Sequence, residues 1–185
     1  MTTLKDTNYL TCSVDTFGVA SLSLNRPDKH NAFNAQVIEQ LIESINSLTQ
    51  RSEVRCLVLR GNGKHFSAGA DLGWMQSMVG KSEQENQEDA SRLAQLMRCL
   101  DNFPHPTLAI VHGCAFGGAL GLICCCDVAI ADHSALFCLS EVKLGLGPAT
   151  IGPYVNRAIG ARQSRRYMLT AERFDANKAV EIGLI

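Results

Sequence analysis

The chain has 185 residues, enough for one well-packed domain, and 46% of them are hydrophobic with no low-complexity tract. Its formal charge of −1 gives no electrostatic footprint for nucleic acid or for an acidic membrane. The opening MTTLKDTNYL has no apolar core of signal-peptide type, and the apolar runs are too short or too glycine-interrupted to span a bilayer. The eight cysteines form no CxxC pair and have no histidine at ligand spacing. Most stand in apolar runs, where a free thiol behaves as a small hydrophobe. They read as core residues of a reducing, cytoplasmic compartment, with no metal site expected.

In chain order, residues 9–13 and 19–24 are β-rich or alternating around Thr16, Phe17 and Gly18, which predicts a hairpin. The Pro, Asp and Asn of residues 25–34 (NRPDKHNAFN) mark an irregular loop made positive by Arg26, Lys29 and His30. Asn34 caps a helix running to residue 50, with Val37, Ile38, Leu41, Ile42, Ile45 and Leu48 on one stripe. Residues 54–59 (VRCLVL) read as a buried strand. Residues 66–72 (FSAGADL) form a small-residue loop in which the main chain is nearly uncovered. Residues 75–88 are polar around Gly80 and predict a mobile, partly helical segment. Helical spacing returns over residues 90–100 through Leu93, Leu96, Met97 and Leu100.

The strand TLAIVHG, residues 107–113, leads through Gly117-Gly118 into a short apolar helix over residues 119–126. Strands follow at residues 128–131 and 135–141, then a Gly/Pro-rich loop over 143–153. A basic helix spans residues 154–169, and Asp175 caps a last helix closed by Gly183. The chain ends on Leu184-Ile185, apolar residues that read as the start of another element, which suggests a truncated chain. Strands alternating with helices predict α/β architecture, and the cadence of two short strands and a helix suggests stacked ββα turns. Neither GxGxxG after the first strand nor GxxxxGK[ST] occurs, which removes the best support for dinucleotide and P-loop readings.

Two bare-backbone points, Ala70 and Gly118, suggest two N–H donors converging on one oxygen. Such an oxyanion hole stabilises a thioester enolate or a tetrahedral oxyanion. Gly118 stands at the join before a helix, whose first N–H groups lack internal partners and whose dipole favours a negative oxygen. Glu141 is a lone carboxylate among Leu139, Val142 and Leu144, where desolvation raises its pKa toward the range useful for proton transfer. His112, at the strand end, reads as a satisfied core or turn histidine.

Four motifs in this order resemble the crotonase, or enoyl-CoA hydratase/isomerase, superfamily: LNRPDKHNAFN, FSAGADL, HGCAFGGALGLICCCDVAIA and FCLSEVKLGLGP. The resemblance covers essentially residues 1–185. It implies one core domain with a spiral of ββα turns, lacking the C-terminal helical region that supports assembly as trimers or hexamers. It implies an acyl-CoA substrate, with coenzyme A as part of that substrate and no separate cofactor; the near-neutral charge separately argues against a nucleic-acid or membrane partner. Residue by residue, it puts the oxyanion N–H groups on Ala70 and Gly118, and adenine-facing backbone on Ala68 and Leu72. Arg26, Lys29 and His30 fall on the coenzyme A loop, and Gly117 on the central turn. Trp74, Met75, Met78 and the segment 79–90 would build the acyl pocket.

Glu141 matches the second of the two glutamates of ordinary enoyl-CoA hydratases. Gly121 stands where the first belongs. Ala149, at a position acidic in the hydroxyacyl-CoA hydrolase branch, disfavours that reaction. The GGAxGL form, the CCD ending and the LSEVKLGL-P run look most like a bacterial branch of methylglutaconyl-CoA or isohexenylglutaconyl-CoA hydratases. Their substrates carry an extra carboxylate, and that carboxylate, or room left by Gly121, is expected to substitute for the lost side chain. The alternatives are a Δ3,Δ2-enoyl-CoA isomerase running on Glu141 alone and, from another class, a non-catalytic acyl-CoA- or RNA-binding scaffold.

Overall fold

The computed structural model describes residues 2–3 and 9–185. The polar opening stretch lies outside the described residues, apart from Thr2, Thr3, Tyr9 and Leu10. Strand β1 (Thr2–Thr3), β2 (Leu10–Val14) and β3 (Val19–Leu24) run antiparallel, the expected hairpin closing at Gly18. Beyond β3 the sheet becomes parallel through β4 (Cys56–Gly61), β5 (Thr107–Val111) and β7 (Val128–Ala131), in the order β1-β2-β3-β4-β5-β7. A second, three-stranded sheet is formed by β6 (Cys114–Phe116), β8 (Leu136–Cys138) and β9 (Phe174–Asp175).

Each turn of the chain therefore gives one strand to the large sheet, one to the small sheet, and then a helix. β5 and β6 lead into α4 (Gly118–Cys125); β7 and β8 lead, past a 3-10 turn at Glu141–Leu144, into α5 (Gly152–Thr170). The preceding turn follows the same plan in weaker form. After β4, Ser67 pairs in parallel with Ala115 of β6, and the chain continues into α2 (Leu72–Met78) and α3 (Glu83–Asp101). This is the spiral of ββα turns that the resemblance implies.

The helices form where local chemistry allows. Helix α1 (Ala35–Thr49) starts at Asn34, whose side chain accepts the Val37 N–H at 2.9 Å, and its six stripe residues are all buried. Helix α4 is buried nearly all round because it passes through the core. Its end is clasped to β5: the Asp127 carboxylate accepts the Thr107 N–H and hydroxyl at 2.8 Å each, and Thr107 Oγ1 accepts the Asp127 N–H. Asp175 caps α6 (Ala176–Glu181) by accepting the Lys178 N–H.

Several sequence expectations shift. The strand expected at 54–59 is β4, two residues later, because the Val54 N–H closes a turn onto Arg51. The segment 75–88 is helical on both sides of a short break, and α3 starts at Glu83 instead of residue 90. A capping box fixes that start: Ser82 and Glu85 exchange side-chain and backbone hydrogen bonds. The strand expected over 107–113 bends at Gly113 and resumes as β6 in the other sheet. Glu141 does not end a strand; it opens the 3-10 turn after β8. Helix α5 is interrupted at Gly160, which has φ 75° and ψ 161°.

None of the eight cysteines is exposed, and burial pushes the Cys124 and Cys126 thiols up to about 12. Among the described residues, no His, Cys, Asp or Glu cluster has the grouping of a metal site. No helix among them is long and apolar enough to cross a membrane.

Candidate active site

Two chain segments are held side by side at the ends of β4 and β6. Ser67 donates its N–H to Cys114 and accepts the Phe116 N–H on its carbonyl, both at 3.0 Å. Fully buried Ser67 also donates its hydroxyl to the Asn31 carbonyl at 2.8 Å and accepts the Gly69 N–H at 3.1 Å. Gly69, at φ 85°, then passes so close to the second segment that a Cβ there would lie 2.6 Å from the Phe116 oxygen. Only glycine combines that dihedral with that approach. The residues that follow each segment are Ala70 and Gly118.

Both retain their N–H groups for something else. Ala70 bridges to Phe33, but the ladder bonds come from the flanking atoms: the Phe33 N–H donates to Gly69, and the Asp71 N–H donates to Phe33, at 2.7 Å each. Gly118 is the first residue of α4, where the helix supplies no acceptor. Neither N–H donates a hydrogen bond among the described residues.

Glu141 arrives from the third segment. The 3-10 turn sets its carboxylate against Gly117, whose missing Cβ would lie 3.2 Å from Glu141 Oε1. Gly117 lies at φ 54°, ψ −125°, a backbone region open essentially to glycine alone. Glu141 Oε2 is buried with no hydrogen-bond partner. Burial raises the carboxyl above its ordinary value of 4.5, opposed more weakly by its own backbone N–H.

Two cavities meet at these groups. A cleft of about 500 Å³ is lined by Lys29, His30, Ala68, Leu72, Gly117 and Ser140 among others. A smaller cavity of about 240 Å³, walled mainly by apolar groups, is lined by Phe33, Trp74, Met78, Leu93, Leu146 and Ile151 among others. Ala70, Met75, Gly118 and Glu141 line both, and Glu141 alone of these four carries a titratable side chain. The arrangement has a charged mouth, an apolar inner end, and a buried acid beside two unengaged donors where they join. It suits a ligand with a polar head, a carbonyl at the junction and an apolar tail.

The expected residues Lys29, His30, Ala68, Leu72, Trp74, Gly117, Ala70, Gly118 and Glu141 are thus brought to one continuous space. Two others are not. Arg26 does not reach the cleft: its guanidinium donates to Asp71 at 2.8 Å and to the Ala32 carbonyl at 3.1 Å, and lies over the Tyr9 ring. It is a clamp between the first loop and the start of α2. Gly121 lines neither cavity. It is fully buried, and a Cβ there would lie 2.3 Å from Ile151 Cγ2 and 2.9 Å from Met97 Sδ. The room expected at Gly121 is filled by Ile151. His112, as expected, is satisfied at its turn, 2.9 Å from the Gly63 carbonyl.

The residues that sequence reasoning passed over are those that hold the loops. Asn31, 1% exposed and at φ 55°, accepts the Arg26 N–H and donates to the Asn62 and His65 carbonyls at 2.8–2.9 Å. Asp71 caps α2 through the Gly73 and Trp74 N–H groups. Those bonds, the Trp74 N–H foremost, and the Arg26 guanidinium keep its carboxyl below the usual range. Asn31→Ala leaves two carbonyls and one N–H without partners and puts alanine at positive φ. The expected loss is on the order of 3 kcal/mol in a denaturant titration; a loss under about 1 kcal/mol would show that water replaces the network.

A family model described as enoyl-CoA hydratase/isomerase matches residues 15–185. The enoyl-CoA hydratase ACTT6 of Alternaria alternata is 35% identical over 172 residues, covering 91% of this chain and 54% of that protein. The chain thus spans about half the length of that curated relative. Among solved structures, an enoyl-CoA hydratase from Shewanella pealeana is 54% identical with a TM-score of 0.94, covering 96% of this chain and 67% of the other. An enoyl-CoA hydratase/isomerase (crotonase) from Legionella pneumophila is 48% identical with a TM-score of 0.94, covering 97% of this chain and 69% of the other.

Proposed function

The chain belongs to the enoyl-CoA hydratase/isomerase family, and from that premise we propose that the protein hydrates a branched glutaconyl-type acyl-CoA thioester, such as 3-methylglutaconyl-CoA or isohexenylglutaconyl-CoA. The observation that carries the reading is Glu141 Oε2, buried and unpartnered, where the cleft, the acyl cavity and the Ala70 and Gly118 N–H groups meet. The thioester carbonyl accepts both N–H groups, which polarises the conjugated double bond and stabilises the enolate formed on attack. Ionised Glu141 takes a proton from water as the hydroxyl adds to the β-carbon. It then returns that proton to the α-carbon, so one molecule of water is added and the carboxylate is regenerated.

One carboxylate serves both steps because the proton it accepts is the proton it delivers. The adenine end of coenzyme A lies along the Ala68 and Leu72 backbone, with Lys29 and His30 at the mouth. Support for a branched acyl group comes from the apolar wall of the inner cavity, where Trp74, Met78, Leu93 and Ile151 stand. A second reading, Δ3,Δ2-enoyl-CoA isomerisation, is favoured by Glu141 being, among the described residues, the sole titratable side chain that lines both spaces. There the same carboxylate moves a proton from the α- to the γ-carbon.

The test offers the protein 3-methylglutaconyl-CoA and, separately, a 3-enoyl-CoA, and weighs the products. A mass gain of one water on the first supports the hydratase. Double-bond migration on the second with no water gained on either replaces it with the isomerase. No product from any acyl-CoA leaves the non-catalytic binding reading.

A further inference from the structure

The strongest observation outside the proton-transfer chemistry is the fit between Gly121 and Ile151, thirty positions apart in sequence. Gly121 lies three residues after Gly118 on α4, so the two share a helix face. At Gly118 that face turns to the ligand space, where a Cβ would lie 3.3 Å from the Phe33 ring. One turn further in, the same face meets Ile151, with Ile151 Cγ2 and Cβ at 2.3 and 2.9 Å from where a Cβ on residue 121 would sit. Ile151 is 1% exposed, immediately precedes α5, and ends the Leu146-to-Ile151 run that walls the acyl cavity. That run is tied back to the acid, since the Leu146 N–H donates to the Glu141 carbonyl at 3.1 Å. No side chain beyond glycine fits at 121 while Ile151 keeps its place, and Ile151 keeps its place only because 121 is glycine.

We propose that Ile151, seated on Gly121, is a specificity-determining residue: it sets a hydrocarbon wall against the buried face of α4 and fixes the width of the acyl cavity that Glu141 also lines. The pair acts as one unit. It leaves no volume for a larger side chain at 121, and it fixes which acyl branches lie against the cavity wall. The inference rests on the proposed acyl-CoA reading for its ligand, while its packing half stands on geometry alone.

The experiment is a cycle of Gly121→Ala, Ile151→Ala and the double variant, read by melting temperature and by kcat/KM on a straight four-carbon enoyl-CoA and on a branched glutaconyl-CoA. Gly121→Ala alone should lower Tm by on the order of 5 °C through overpacking. In the double variant that penalty should shrink, because the 2.3 Å approach of Ile151 Cγ2 is gone while the Cβ of residue 151 and Met97 Sδ, each at 2.9 Å, remain. Ile151→Ala should change the kcat/KM ratio between the two thioesters by about tenfold or more, since three carbons leave the wall. An additive cycle, or a Gly121→Ala protein as stable as the wild type, overturns the packing unit. Wild-type turnover with an unmoved ratio in Ile151→Ala overturns the specificity role alone. A wild type inert toward every thioester removes the proposed function and the specificity role together, and the melting cycle still decides the packing.

Discussion

Glu141→Gln is expected to lower turnover by ~10²–10⁴-fold while acyl-CoA affinity stays within a few-fold. The substitution keeps shape and polarity at a carboxyl whose Oε2 has no partner in the structure, so little packing is lost. What disappears is, among the described residues, the only titratable side chain lining both cavities. Steady-state kinetics with a binding titration separates the effects, and an equal loss of binding and turnover would make Glu141 a structural residue.

The same variant carries a pH signature. Burial raises the folded-state pKa of Glu141 above the ordinary 4.5. Below pH 4.5 the acid is neutral in both folded and unfolded chains and costs nothing. As pH rises from there through the folded value, the unfolded chain ionises first, and stability is lost. Glu141→Gln is therefore expected to melt above the wild type at pH 7 to 8, with the difference closing as pH falls toward 4.5. A melting difference independent of pH would mean that the carboxyl titrates normally. In the wild type, the acid limb of the kcat profile should fall at a pH above that ordinary value, because the proposed mechanism uses the ionised form as the base.

Gly117→Ala is the second large effect. It puts a Cβ on a backbone at φ 54°, ψ −125°, and sets that carbon 3.2 Å from Glu141 Oε1. The backbone term costs about 1–3 kcal/mol. Relief comes either from turning the peptide that precedes Gly118, which moves its N–H, or from pushing the Glu141 carboxylate aside. Displacement by about 1 Å at a reacting centre costs on the order of 10²-fold in rate, so turnover should fall by that order while stability falls by about 1–3 kcal/mol. Thermal melting and kcat on one preparation test both. A stable variant with full turnover would mean that neither the turn nor the acid depends on glycine here.

Much of the fold was legible because its signals are local. The α1 stripe is read from residues three and four apart, and the Asn34 and Asp175 caps lie within one turn of the N–H groups they accept. The start of α3 was also written in the sequence, as Ser82 followed three residues later by Glu85, but the surrounding polarity masked it. The division of residues 107–116 between two sheets was not legible. A strand that continues and one that bends at Gly113 have the same apolar pattern, and the partners, β7 and β8, lie further along the chain.

For the site, the sequence by itself determined the chemistry available: two bare-backbone points at Ala70 and Gly118, a lone acid at Glu141, and glycine at 121. The tertiary structure decided what those residues are to one another. It held Ala70 beside Gly118 through the buried Ser67 and Asn31 bonds, took Arg26 out of the cleft to pair with Asp71, and filled the space at Gly121 with Ile151. The physical reason is that helix stripes, caps and turns are settled by neighbours within a few residues, whereas the occupancy of a volume is settled by side chains far away in sequence that pack into it.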